Sequence, residues 1–203
     1  MSDALVILLH GVGSRGADLL GLADAWRPWL PDARFAGSDA PQLFDHGGLG
    51  RQWFSVTGVT DANRPSRILA ARPAFDQAIG DILAETGFAG RLDQVALVGF
   101  SQGSITALDA VVSGRWPVRA VVAFSGRLAS PAPFTPATHA PVLLVHGTAD
   151  PVMPVALCRE AHNLLTGSGF DVTRHELPGV GHQITPDGIA LSGRFLADVL
   201  GCR

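Results

Sequence analysis

Short apolar runs alternate along this chain with longer segments whose apolar residues recur at helical spacing. Runs that predict β-strands lie at residues 4–9, 33–36, 94–98, 119–124, 142–145 and 171–177. Segments that predict helices lie at residues 17–26, 66–86, 104–111, 155–166 and 187–200. This alternation predicts an α/β fold, with a mostly parallel central sheet, right-handed crossovers and helices on both faces. We expect a single domain spanning residues 1–203.

Residues 42–64 interrupt the alternation, because they follow neither the helical nor the strand period. They hold Phe44, Trp53 and Phe54 among several glycines. A loop of this length inside a compact domain is usually functional, and aromatic residues among glycines favour a cover over an apolar pocket. The alternative is that Trp53 and Phe54 fill a gap in the core. We expect this loop excursion to lie near the functional site.

The boundary between the strand at 94–98 and the next helix carries Gly-Phe-Ser-Gln-Gly at residues 99–103. A serine at the tip of a tight strand-to-helix turn is strained, and the positions two residues away on either side have no room for a Cβ. Glycine at both positions is what such a turn needs. The hydroxyl of Ser101 would then project beside the first free N–H groups of the helix. An ordinary turn with a chance serine is the alternative.

Functional groups in open parallel sheets lie at the carboxyl ends of the strands. Those ends supply Ser101, Asp150 and His182, in the order of nucleophile, acid and histidine that is typical of an α/β-hydrolase triad. We expect His182 to take the proton of Ser101 during attack on a carbonyl, while Asp150 orients the imidazole. The backbone N–H groups of Val12 and Gln102 would hold the oxyanion.

Composition excludes several classes of function. The chain has 203 residues and a net charge of -3, with no run of like charges, which argues against nucleic acid as a partner. It holds no lysine and no tyrosine, so Walker A, Schiff-base and Tyr/Lys reductase chemistry are excluded. Cys158 and Cys202 are too few for a disulfide framework. No apolar stretch approaches the roughly 20 residues of a membrane span, so we expect a cytoplasmic protein without membrane insertion.

Residues 11–16 match the G-x-G-x-x-G pattern after a strand, which offers a dinucleotide-binding oxidoreductase as a rival hypothesis. Such a site needs an acidic residue at the end of the next strand, whereas Asp32 comes too early and Asp39 lies in a turn. No histidine or carboxylate cluster has metal-ligand spacing, so no metal is expected. His10 and His146, each before a glycine at a strand end, are expected to tie loops together.

The chain resembles the phospholipase/carboxylesterase family of α/β hydrolases, which includes the acyl-protein thioesterases. Matching segments occur in family order at residues 8–14, 40–41, 53–54, 99–103, 146–154 and 181–184. The resemblance implies the α/β-hydrolase fold and hydrolysis of carboxylic esters or thioesters through an acyl-enzyme intermediate, without a cofactor. It also supports Val12 and Gln102 as oxyanion donors and the loop around Trp53 as a wall of the acyl site.

Two positions depart from the family pattern. Ser104 stands where a second glycine is common, and Ser55 follows Trp-Phe where an aspartate is common. Phe54 and Met153 are further candidates for substrate binding, with simple packing as the alternative for Met153. The expected partner is a small-molecule or acylated substrate. A homodimer and a non-catalytic, ligand-binding relative of the hydrolases both remain open.

Overall fold

The computed structural model describes residues 3–202 of the chain. The strands are β1 (Leu5–Leu9), β2 (Arg34–Ser38), β3 (Gln42–Leu43), β4 (Arg51–Gln52), β5 (Val95–Phe100), β6 (Ala120–Phe124), β7 (Val142–Gly147) and β8 (Val172–Leu177). The helices are α1 (Gly21–Trp26), α2 (Arg64–Thr86), α3 (Gln102–Val112), α4 (Val155–Gly167) and α5 (Pro186–Leu200), with short 3-10 turns at Gly16–Leu19 and Leu92–Gln94.

Six strands form one parallel sheet in the order β2-β1-β5-β6-β7-β8. Successive residues of β1 face opposite sides of this sheet, as the pleat of a strand requires. Leu5, Ile7 and Leu9 pack in one apolar cluster with residues of α2, α3 and α4, whereas Val6 and Leu8 pack in a second cluster with residues of α1 and α5. The predicted parallel sheet with helices on both faces is therefore confirmed.

The predicted helix at 17–26 is wrong in one respect, because the segment is a 3-10 turn followed by the short helix α1. The carboxylate of Asp18 accepts from the Ser14 hydroxyl (2.6 Å) and from the N–H of Arg15 (2.9 Å). The N–H of Gly16 donates to Asp39 (2.8 Å). These bonds hold the turn against the neighbouring loop, and Gly21 is a poor residue for the interior of a continuous helix.

Segment 42–64 is ordered around the carboxylate of Asp45, although it shows no period. Strands β3 and β4 pair antiparallel at its start. Oδ2 of Asp45 accepts from the Ser55 hydroxyl (2.7 Å) and from the N–H of Val56 (2.9 Å), and Oδ1 accepts from the Gln52 amide (2.6 Å). The bonds from Ser55 and Gln52 hold the pKa of Asp45 far below its usual range. A fixed charge therefore shapes this excursion.

The helices of residues 3–202 include none with the length and apolar character that a membrane crossing requires.

Candidate active site

The turn between β5 and α3 holds Ser101 in a conformation that L-residues rarely adopt, with φ 53° and ψ -115°. The N–H of Ser101 donates to the carbonyl of Phe124 on β6 (2.9 Å), which fixes the turn to the sheet. A Cβ added at Gly99 would collide with the backbone of Gly103, and one added at Gly103 would collide with the carbonyl of Leu9. The two glycines are therefore required by backbone packing, as the sequence pattern predicts.

Three loops bring the predicted nucleophile, histidine and acid into one hydrogen-bonded line. Nε2 of His182 lies 2.9 Å from Oγ of Ser101, and Nδ1 of His182 lies 2.7 Å from Oδ2 of Asp150. A carboxylate only accepts, so Nδ1 carries the proton and the bare Nε2 accepts from the hydroxyl of Ser101. This tautomer can receive a proton from Ser101, which is the arrangement needed for general-base activation of an alcohol.

The carboxylate of Asp150 is buried yet well supplied with donors. Its Oδ1 accepts from the N–H groups of Val152 (2.9 Å) and Met153 (2.8 Å). Burial by itself raises the pKa of Asp150, but the bonds from Met153, His182 and Val152 outweigh it, so the pKa lies below the ordinary value. Asp150 therefore stays ionised at neutral pH and keeps the imidazole oriented.

The loop after β1 lies directly against the Ser101 turn. A Cβ added at Gly11 would lie 3.3 Å from Cβ of Ser101. The N–H of Gly13 donates to Arg51 (2.8 Å), whereas the N–H of Val12 has no hydrogen-bond partner in the described part of the chain. Gln102 is the first residue of α3, where an N–H has no partner within the helix. Both predicted oxyanion donors thus sit in the wall beside Ser101.

The side chain of Gln102 has a second use that the sequence pattern did not suggest. Its Oε1 accepts from the N–H of Trp53 (2.7 Å), and its Nε2 donates to the carbonyl of Phe54 (2.8 Å). All three residues are buried. The amide therefore pairs with the backbone as a neighbouring strand would, and it fastens segment 42–64 to the Ser101 turn. Only the tertiary contact identifies this role, because a lone glutamine carries no local signal.

Trp53 and Phe54 divide between the two alternatives left open for them. Trp53 is 1% exposed, its ring lies 5.4 Å from that of Phe75, and its indole N–H donates to the carbonyl of His10 (2.9 Å). It fills the core and is absent from the cavity wall, so the expectation that it walls the acyl site does not fit its position. Phe54 and Met153 do line the cavity, as expected.

His10 and His146 tie loops together, as predicted. Nε2 of His10 accepts from the N–H of Ala40 (3.0 Å), so Nδ1 carries the proton and donates to the carbonyl of Gly11 (2.6 Å). Burial lowers the pKa of His10, which keeps this ring neutral. His146 donates from Nε2 to the carbonyl of Met153 (2.6 Å), beside Asp150. Both rings shape the backbone around the site.

The glycines of the 11–16 loop serve close packing of the backbone. Gly11 faces Phe100 and Ser101, and Gly16 packs on the backbone of Gly37. The bond from Gly13 to Arg51 occupies an N–H that a phosphate would need. This packing explains the loop without a nucleotide, contrary to the dinucleotide-binding hypothesis.

Ser101 opens into a cavity of about 480 Å³. Its apolar wall consists of Val12, Phe54, Val56, Ile105, Val152, Met153, Pro154, Ala156 and Leu157. Three charged residues, Asp61, Arg64 and Arg127, also line it, although no motif in the sequence marks them. The position of Arg127 in the sequence could have indicated a place near the site. It follows β6, the strand between β5, which precedes Ser101, and β7, which precedes Asp150. Residues 3–202 contain no cluster of three or more His, Cys, Asp or Glu side chains suited to a metal ion.

Comparisons with a family model, with relatives of known name and with solved structures show which proteins this chain is similar to. The family model described as Phospholipase/Carboxylesterase matches residues 1–200. Esterase YpfH of Escherichia coli strain K12 is 34% identical over 183 residues, which cover 90% of this chain and 77% of the relative. Acyl-protein thioesterase 1 of Neurospora crassa is 25% identical over 216 residues, covering 97% of this chain and 87% of that protein.

Among solved structures, that of esterase PE8 superimposes with a TM-score of 0.88 at 35% sequence identity, covering 97% of this chain and 93% of that chain. The family match spans nearly the whole sequence, and the similar structure shares the parallel sheet with surrounding helices. The resemblance drawn from the sequence motifs is therefore confirmed. The chain belongs to the phospholipase/carboxylesterase family, has the α/β-hydrolase fold, and is a serine hydrolase of the carboxylesterase and acyl-thioesterase type.

Proposed function

We propose that this protein hydrolyses carboxylic esters and thioesters through a triad of Ser101, His182 and Asp150 and an acyl-enzyme intermediate. The observation that carries the proposal is the unbroken line of hydrogen bonds, 2.9 Å from Ser101 to His182 and 2.7 Å from His182 to Asp150. A serine is activated when its hydroxyl lies within hydrogen-bond reach of a base and a third group orients that base.

In the first half-reaction, Oγ of Ser101 attacks the carbonyl carbon while Nε2 of His182 takes the hydroxyl proton. The carbonyl oxygen becomes an oxyanion, which the N–H groups of Val12 and Gln102 stabilise. Asp150 stabilises the imidazolium. His182 then gives its proton to the departing alcohol or thiol, which leaves the acyl group on Ser101.

In the second half-reaction, His182 takes a proton from water, whose oxygen attacks the acyl-enzyme. The same two N–H groups hold the second oxyanion, and the proton returns to Oγ of Ser101 as the acid departs. Every step uses side chains and backbone groups of this chain, and no cofactor is proposed.

The substrate class follows from the cavity and from the relatives. The apolar wall around Phe54, Met153 and Leu157 suits a short or medium acyl chain. One relative is named an esterase and another an acyl-protein thioesterase, so we propose that both small-molecule esters and acyl thioesters are accepted. Cys158 is buried and forms no disulfide, consistent with the cytoplasmic location that we also propose.

A serine-directed fluorophosphonate probe tests the proposal without requiring the natural substrate. We expect the probe to label Ser101, and Ser101→Ala to abolish both labelling and the hydrolysis of p-nitrophenyl butyrate. Ser168→Ala, at a half-buried serine directly after α4 and outside the cavity wall, serves as the matched control and should retain both. Hydrolysis that survives in the folded Ser101→Ala variant would refute the assignment. A panel of esters and thioesters of graded acyl length then defines the preference.

A further inference from the structure

The wall of the cavity contains a charged cluster that the proposed hydrolysis does not use. Arg64 begins α2, directly after segment 42–64, and Arg127 follows β6. We call these two residues the arginine pair. Asp61 lies between them, with its Oδ1 2.8 Å from a terminal nitrogen of Arg127 and 3.5 Å from one of Arg64. All three residues face the cavity into which Ser101 opens.

The charge of the arginine pair is only partly balanced. One carboxylate oxygen serves both guanidinium groups, so two positive charges meet a single negative one. The side chains of Arg64 and Arg127 are 18% and 14% exposed, whereas that of Asp61 is 78% exposed. An exposed carboxylate is screened by water and compensates buried cations weakly. A net positive charge therefore remains at the cavity wall.

Two other arginines, Arg72 and Arg159, are paired with carboxylates much more completely. Arg72 binds both oxygens of Asp109 (2.9 and 2.8 Å), and Arg159 binds both oxygens of Glu176 (2.9 and 2.6 Å). This fork-to-fork geometry is the one that a guanidinium favours with a carboxylate. The arginine pair lacks it, and Nε of both residues is buried with no hydrogen-bond partner within residues 3–202.

The surroundings of Arg64 lead to the same conclusion. Burial, followed by the positive charge of Arg127, lowers the pKa of Arg64. Because a guanidinium stays protonated in proteins, a lowered pKa here reflects positive charge held without enough compensation. A second planar anion at this wall would relieve that imbalance of charge.

We propose that the arginine pair is an anion subsite, so that the preferred substrates are esters or thioesters that carry a carboxylate. The inference rests on the proposed function for the reaction itself and adds the charge of the substrate. The apolar part of the wall holds the hydrocarbon, and the arginine pair holds the carboxylate through charge-assisted hydrogen bonds. The carboxylate is carried either by the acyl chain or by the leaving group.

Two pairs of substrates distinguish these sources. For an acyl-side anion, p-nitrophenyl hydrogen adipate is compared with its neutral methyl ester. For a leaving-group anion, p-(butyryloxy)benzoate is compared with its methyl ester. We expect kcat/KM to favour the anionic member of one pair by about tenfold to a hundredfold, the range of a charge-assisted hydrogen bond.

The ratio of kcat/KM for the anionic substrate to kcat/KM for its neutral ester should change in opposite directions in variants of the cluster. Arg127→Gln and Arg64→Gln should reduce the ratio to near one, whereas Asp61→Asn should raise it, because it removes the negative charge that competes with the substrate for the arginine pair. Arg119→Gln is the matched control, because exposed Arg119 lies at the amino end of the same strand, β6, whereas Arg127 follows its carboxyl end. It should leave the ratio unchanged. If Arg127→Gln lowers kcat/KM equally for both members of a pair, the residue has a structural role and the proposal is overturned.

Failure of the subsite and failure of the proposed function give different results. Ratios near one on both pairs, with neutral esters still hydrolysed, would overturn the subsite alone. If no ester is hydrolysed and the fluorophosphonate probe does not label Ser101, the proposed function fails. Calorimetric titration with adipate then tests whether the subsite exists without requiring any reaction. Adipate binding that is lost in Arg127→Gln supports the subsite, and absence of adipate binding to the wild-type protein overturns it.

Discussion

The amide side chain of Gln102 gives a sharp test of how segment 42–64 is held. Gln102→Ala removes the acceptor for the N–H of Trp53 and the donor for the carbonyl of Phe54, and all of these groups are buried. The backbone N–H proposed as an oxyanion donor is retained in this variant. The substitution therefore separates the two uses of the residue.

The expected magnitude follows from the two groups left unpaired. A buried polar group without a partner costs about 1–3 kcal/mol, so two such groups lower the free energy of unfolding by about 2–6 kcal/mol. For a chain of this size, each kcal/mol corresponds to about 2–4 °C in Tm. We therefore expect Tm to fall by at least about 4 °C.

Urea unfolding measures the loss, and amide hydrogen exchange at Trp53 locates it. We expect the Trp53 amide to exchange much faster in Gln102→Ala, because its acceptor is gone. Gln77→Ala, at an exposed position of α2, is the matched control and should change stability by less than about 0.5 kcal/mol. A Gln102→Ala protein as stable as this control, with the Trp53 amide still protected, would refute the reasoning.

Four further predictions concern the site and the core beside it. Asp150→Asn should lower kcat by about ten-thousand-fold, because an amide that donates to Nδ1 of His182 places the imidazole proton on Nε2, which then cannot accept from Ser101. The pKa of Asp150 is lowered on folding, so its contribution to stability is present above about pH 4 and is lost as the pH falls through the folded pKa. Urea titrations across this range should show a smaller acid-induced loss for Asp150→Asn. Burial raises the pKa of the Cys158 thiol to about 12, so iodoacetamide at about pH 8 should leave it unmodified until the protein is unfolded, as mass spectrometry of the digested protein can determine. Phe54→Ala should shift the acyl-length preference, whereas Trp53→Phe should not, since only Phe54 lines the cavity; equal shifts in kcat/KM profiles would contradict this placement.

Much of the fold and the hydrogen-bonded line could be predicted because each follows from a short motif or from the order of the elements. The glycines at 99 and 103 belong to a short motif that marks the Ser101 turn. A Cβ at Gly99 would meet Gly103 within the turn, whereas a Cβ at Gly103 would meet Leu9 of the neighbouring strand β1. The positions of Asp150 and His182 follow from the rule that loops after parallel strands meet at one edge of the sheet. The five-residue motif suffices to predict the turn, and the order of the elements suffices to predict that the two loops meet Ser101.

The contacts that the sequence did not reveal join residues far apart in the chain. Asp45 organises its segment through partners seven to twelve positions away, and Gln102 reaches Trp53 across 49 positions. Arg127 and Asp61 are 66 positions apart. Neither periodicity nor a short motif encodes such pairings, because they depend on how whole elements pack. The choice between the core and the cavity wall for Trp53 stayed open in the sequence for the same reason.

The serine at position 104 constrains a distant glycine. Its hydroxyl lies 2.7 Å from the carbonyl of Gly99 and 2.8 Å from that of Phe124, between β5 and β6. A Cβ added at Gly126 would run into Cβ of Ser104. The two sites therefore cannot diverge independently: a larger residue becomes tolerable at 126 only after Ser104 has been trimmed to glycine. A substitution at 126 that comes before the change at 104 meets a steric clash, so the order of the two substitutions matters.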